Sequence, residues 1–276
     1  MGRPNRAMVA ARMAAVVGAI LVAVVSLTDA DPTTENELVR YGDDPSEFGR
    51  LWIPEVRGDS PVVILVHGGF WRVRAGDSTL MDPLARDLHA DGYAVWNIEY
   101  GRVGERFGGW PHTFDHVGTA IDHLVSLAET HPIDLARVAV VGHSAGGQLA
   151  VWSGGRSLLE ADDPGGSPAV EPVLVVGLAP VLDLDASAAD LLGNGAVVDL
   201  LGGTPAEVRD RYRVAQPVIG SAEVVVVVGS ADQIVPAAYS AFERAIVIRH
   251  PGNHFLPIDP GSEPWEAVRN VLRDRL

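Results

Sequence analysis

The chain has 276 residues, 47% of them hydrophobic, with a formal charge of −15, no cysteine and no lysine, all 21 basic residues being arginine. Disulfides, thiol nucleophiles and thiolate metal sites are excluded, as are Schiff-base, P-loop and Ser–Lys chemistry, each of which needs a lysine. The acidic balance argues against nucleic acid as a partner, because little is available to neutralise phosphate, and the length suits one sizeable core.

At the N-terminus, Arg3, Arg6 and Arg12 lead into an uncharged stretch, Met13–Thr28, followed by small residues up to Ala30. This is the layout of a secretory signal peptide or anchor over residues 1–30, and it leaves 31–276 as a single catalytic domain. The expected location is therefore secreted or membrane-anchored on the extracytoplasmic side, with any membrane contact made through this segment; a cytoplasmic protein is the alternative.

Past Asp31, β-branched runs at Arg50–Ile53, Val62–His67, Tyr93–Glu99, Val138–Gly142, Val173–Leu178, Val224–Gly229 and Ala245–His250 read as strands. Several are apolar throughout, as in parallel strands covered on both faces. Helical patterns fall between and after them, at Met81–His89, Thr113–Ala128, Ala145–Ser157, Pro236–Arg244 and Pro264–Leu276. This alternation specifies an α/β fold with a mostly parallel central sheet and helices on both faces. On the Thr113–Ala128 helix, Phe114, Val117, Ile121, Leu124, Val125 and Ala128 share one side at about 100° per residue. His112, His116 and His123 then fall on a solvated face, and no metal or cofactor is assigned. Asp183–Ser221 has no strong strand signal and is expected to form a small helical excursion over the sheet.

The chemistry lies at the strand ends. Gly142-His143-Ser144-Ala145-Gly146-Gly147 follows Val138–Val141 directly and precedes an apolar helix. A nucleophile elbow needs this: a strand, a turn too tight for flanking side chains, then a helix whose N-terminus faces the reaction. Ser144 is the candidate nucleophile. His67-Gly68-Gly69-Phe70-Trp71 follows the strand Val62–Val66, and its glycine pair lets N–H groups of the Gly68, Gly69 and Phe70 turn, with that of Ala145, face an oxyanion. Of nine histidines, elimination leaves His250, which closes a strand, and His254, which stands in the loop beyond it. His254 is chosen as the base, because catalytic groups gather at the C-terminal edge of an open α/β sheet. Asp232, in the loop after Val224–Gly229, is the expected acid; Asp183 and Asp185, one strand earlier, compete.

These residues resemble the α/β-hydrolase superfamily, and within it the His-Gly-Gly-x-Trp group that includes kynurenine formamidase-like enzymes and small carboxylesterases. The resemblance runs from about Tyr41 to the C-terminus and includes the Tyr100 loop, where glycine stands at 101 in place of a common arginine. It implies the α/β-hydrolase fold, Ser144, Asp232 and His254 as the triad, and the Gly68–Phe70 turn as part of the oxyanion hole. The expected activity is hydrolysis of a small ester or arylformamide-type amide through an acyl-enzyme, without a cofactor. The rivals are a peptidase-like acyl-aminoacyl hydrolase and a secreted non-catalytic binding module. Trp71 and Trp110, with Phe70 and Phe107, are expected to line a substrate pocket.

Overall fold

Eight strands form one sheet: β1 (Glu37–Arg40), β2 (Phe48–Trp52), β3 (Ser60–Val66), β4 (Ala94–Ile98), β5 (Ile133–His143), β6 (Leu174–Leu178), β7 (Glu223–Gly229) and β8 (Ile246–His250). Their order is β1-β2-β4-β3-β5-β6-β7-β8. The β1–β2 and β2–β4 pairs are antiparallel and all others parallel. The structure, a computed structural model, describes residues 36–276; the signal or anchor segment 1–30 lies outside them. No helix among the described residues is long and apolar enough to cross a membrane.

The helices are α1 (Asp82–Ala90), α2 (His112–Asp122), α3 (Leu124–Ala128), α4 (Ala145–Ser153), α5 (Leu184–Ala189), α6 (Leu192–Leu201), α7 (Arg209–Ala215) and α8 (Glu263–Arg275). On one face, Leu84 and Leu88 of α1 and Trp265, Val268 and Leu272 of α8 pack with Val63, Leu65, Val141, Val176 and Val227 of the sheet. Fully burying each such side chain stabilises the fold by roughly 1.5–3 kcal/mol. Trp265 also donates its indole N–H to Asp87 at 2.6 Å, joining the two helices. On the opposite face Trp96 of β4 donates to Ala120 O of α2 at 2.9 Å, and Phe114 of α2 meets Trp152 of α4 edge-on at 5.0 Å. Every residue of α4 is buried, since Gln148 Nε2 and Trp152 Nε1 donate to Ala215 O and Val214 O of the excursion above it. The expected excursion over 183–221 is present as α5, α6 and α7.

Three expectations need correction. The Thr113–Ala128 helix is broken at His123 into α2 and α3. His116 is buried rather than solvated: its Nδ1 accepts the Gly101 N–H at 3.0 Å, because the loop after β4 folds over the flank of α2 that a two-sided helix would expose to water. Burial lowers its pKa despite the nearby Glu47 and Asp44. The Pro236–Arg244 helix shrinks to a single 3-10 turn, Ala237–Ser240. Its groups are spent on cross-links instead: Tyr239 O accepts from the N–H groups of Leu182 and Asp183, and Ser240 Oγ donates to Pro180 O. The edge strand β1, absent from the periodicity, completes the sheet.

Candidate active site

Ser144 sits between β5 and α4 with φ 55° and ψ −117°, a conformation that L-residues adopt at a cost. The strain is held from both sides. Ser144 N donates to Leu178 O at 2.8 Å, and Gly146 passes so close to β3 that an added Cβ would lie 2.2 Å from His67 O. The Gly142–Gly146 spacing is therefore a packing demand of the turn itself.

His254 lies in the loop beyond β8, and its Nδ1 is 2.6 Å from Asp232 Oδ2. The other carboxylate oxygen, Oδ1, accepts the N–H groups of Ile234 and Val235 at 2.8 and 2.9 Å. Burial works to raise the Asp232 pKa, but the bond to His254, its charge and these two amides more than offset it, so the carboxyl lies below its ordinary range. A carboxylate on Nδ1 leaves Nε2 as the position free to take a proton. Ser144 Oγ and His254 Nε2 share no hydrogen bond in this resting arrangement; such contacts commonly tighten only once substrate is bound.

The competing residues have other work. Asp183 caps α5 by accepting the Ala186 N–H at 2.9 Å, and Asp185 pairs with Arg209 at the surface. His250 is buried, its Nδ1 accepting the Gly252 N–H at 3.1 Å within its own loop. His143 is also fully buried. Its Nε2 donates to His254 O at 3.0 Å, so the residue before the serine braces the loop that carries His254. Burial, then the nearness of His254, pushes the His143 pKa down to about 3 and keeps the ring neutral.

After β3 the chain turns through Gly69 (φ 119°), Phe70 (φ 52°) and Trp71 (φ 54°). Gly68 abuts Ser144: an added Cβ would lie 3.1 Å from Ser144 Cβ. Among the described residues the N–H groups of Gly68, Gly69, Phe70 and Ala145, the four expected to face an oxyanion, donate to no protein acceptor. Trp71, expected to line a pocket, is 1% exposed and donates its indole N–H to Gln148 at 3.2 Å. It is a packing residue beneath the turn, placed there by the left-handed backbone at 70 and 71. Trp110 is half-buried against Phe114, with ring centroids 5.6 Å apart.

Sequence reasoning missed three contributors. Phe255, 41% exposed, meets the His254 ring edge-on at 5.3 Å. Arg72 reaches from the turn after β3 to Gly193 O at 2.6 Å, Asn194 O at 3.1 Å and Asp199 at 2.6 Å, and so ties the left-handed turn at the start of α6 to the segment that carries Phe70. Glu99, read only as the last residue of a strand, anchors His67 at 2.8 Å. Its pattern partner, a histidine before two glycines, was the available signal for Glu99; Arg72 had none. A cavity of about 540 Å³ is lined by Glu99, Phe48, Arg50, Arg102 and Phe107 among others, and it includes neither Ser144 nor His254.

A mostly parallel sheet in this order, with a serine on the tight turn into a buried helix, defines the α/β-hydrolase class. The chain belongs to the BD-FAE family, whose model matches residues 51–244. It is 33% identical over 128 residues to Esterase LipC and 34% identical over 125 residues to Carboxylesterase NlhH, both of Mycobacterium tuberculosis. Those matches cover 46% and 45% of this chain but 30% and 36% of the relatives, so the chain matches about a third of their length. Among solved structures, esterase B from Lactobacillus rhamnosis shares the fold with a TM-score of 0.74 at 21% identity, over 97% of this chain and 93% of that one. A bacterial heroin esterase gives 0.67 at 20% identity, over 99% and 92%.

Proposed function

We propose that this protein is a serine hydrolase that cleaves small carboxylic esters, with Ser144 as nucleophile, His254 as general base and acid, and Asp232 as the residue that orients it. The observation that carries the reading is the 2.6 Å Asp232–His254 pair in the loops beside a serine held in strained backbone geometry. Membership of the BD-FAE family and the similarity to LipC and NlhH support an ester over other acyl substrates.

In this mechanism Ser144 Oγ attacks the carbonyl carbon while His254 Nε2 takes its proton, and Asp232 stabilises the imidazolium through Nδ1. The carbonyl oxygen becomes an oxyanion received by the N–H groups of Ala145 and of Gly69 or Phe70 in the Gly68–Phe70 turn. Each such donor is worth about 10²–10³ in turnover. The alkoxide leaves with the proton from His254, giving an acyl-enzyme, and water repeats the sequence to release the acid. Phe255, against the His254 ring, and Phe70, in the turn that follows Gly69, supply aromatic surface near the reacting atoms, and this suits a compact acyl or aryl group.

The test is steady-state hydrolysis of short p-nitrophenyl esters, feruloyl esters and N-formylkynurenine by the wild type and by Ser144→Ala. The variant should lose about 10⁴–10⁶ in kcat while melting at the same temperature. Full activity in Ser144→Ala would remove the assignment, and preference for the formamide would move the substrate class from ester to amide.

A further inference from the structure

The peptide joining Gly68 to Gly69 has an unusual problem. It lies between two glycines, so nothing in its own side chains opposes a flip, and Gly69 already stands at φ 119°. Its carbonyl and its N–H are opposite ends of one planar trans unit and point in opposite directions. In one orientation the N–H serves an oxyanion beside Ser144; in the flipped one a carbonyl oxygen would repel it.

What holds the orientation lies behind the turn. The buried His67 ring is stacked on Tyr100, with centroids 4.3 Å apart and planes 15° from parallel. Its Nδ1 is 2.7 Å from Gly68 O, and its Nε2 is 2.8 Å from Glu99 Oε1. Burial works to raise the Glu99 pKa, but the charge and hydrogen bond of His67, then Arg102 and the Ser78 N–H, bring it down to about 2. Carbonyl and carboxylate oxygens only accept, so His67 carries a hydrogen on both nitrogens and donates from each. Glu99 is fixed in turn by the N–H groups of Ser78 at 2.9 Å and Tyr100 at 3.1 Å, while the Tyr100 hydroxyl donates to His67 O at 2.8 Å.

We propose that His67 and Glu99 are a positioning pair for the oxyanion hole: the carboxylate anchors the imidazolium, the imidazolium pins Gly68 O, and the Gly69 N–H is thereby held facing away from His67, toward the oxyanion. Neither residue touches substrate. The inference deepens the esterase reading and rests on it.

The test uses the full chain with p-nitrophenyl acetate. His67→Phe keeps a ring on Tyr100 but removes both donors, and its kcat should fall about 10²-fold with KM within about threefold, the loss of one oxyanion donor. His67→Asn sacrifices the stack but restores an amide donor near the Nδ1 position, and should recover about tenfold of that loss. Glu99→Gln, isosteric and still able to accept from Ser78 N–H, should lower kcat about tenfold at unchanged KM by loosening the anchor. If His67→Phe or Glu99→Gln turns over at the wild-type rate, or if His67→Asn is no better than His67→Phe, the positioning role is wrong. A role in packing alone predicts the reverse order, with the ring-keeping Phe variant the healthier. A wild-type chain inert toward the ester removes the esterase reading and this inference together, whereas active wild type with unaffected variants removes the inference alone.

Discussion

The Gly68–Phe70 turn after β3 and the His254 loop after β8 both approach the Ser144 turn, but they are braced in different ways. The turn rests on buried side chains: His67 and Glu99 behind it, Tyr100 stacked against it, and Trp71 beneath it on Gln148. The histidine loop stands at the sheet's edge, where Ile246 and Val247 of β8 are 44% and 43% exposed. Its bracing is a handful of polar bonds, from His254 Nδ1 to Asp232 and from His143 to His254 O. A site can thus draw one half of its rigidity from the core and the other from hydrogen bonds. Substitutions in the first half should cost stability as well as turnover, and those in the second should cost turnover first.

The largest effect expected on the histidine side is that of Asp232→Asn. An amide cannot hold His254 in the required tautomer, so kcat should fall by about 10⁴ while the chemical-denaturation midpoint barely moves. A loss under tenfold, with Asp183→Asn the damaging change instead, would break the contrast at its base. On the turn side, Trp71→Ala empties a fully buried site and should cost about 3–5 kcal/mol of stability, read from urea unfolding. A cost near zero would mean that the turn is not carried by the core.

Acidification gives an intermediate effect. Folded His143 stays neutral down to about pH 3, whereas the unfolded chain takes up a proton below its ordinary value of 6.5. The unfolded state therefore binds the extra proton, and lowering pH from 7 to 5 should remove about 2 kcal/mol from this group. His116 and His250, also held down by burial, act in the same direction. Glu99 acts lower: its contribution is present above its ordinary value of 4.5 and is lost as pH falls toward 2. Urea titrations at pH 7 and 5 should show a shallower dependence in His143→Asn; equal slopes would refute the assignment. The smallest effect belongs to Phe255→Ala. With an exposed ring beside His254, it should raise KM a few-fold and change stability by less than about 1 kcal/mol.

Much of this architecture was readable from the chain. Runs such as Val62–Val66 are buried on both faces because β3 is a central parallel strand, and that burial is what made them continuous in sequence. The elbow was legible because close approach demands glycine at 142 and 146, and Asp232 and His254 because loops at adjoining strand ends meet. What escaped reading was set by tertiary cover. His116 looked solvated because a helical wheel knows only the sheet as a neighbour, not the loop that also packs on it. Trp71 looked like a pocket wall because its position follows from two left-handed residues that no composition rule anticipates. Glu99 and Arg72 act through partners 32 and 127 positions distant, beyond the reach of local pattern.

Incubation with a fluorophosphonate, followed by digestion and mass spectrometry, addresses the nucleophile itself. The account predicts a single adduct on the peptide bearing Ser144, formed far more slowly when His254 is replaced by alanine. An adduct on any other serine, or no adduct on a folded chain, would contradict it.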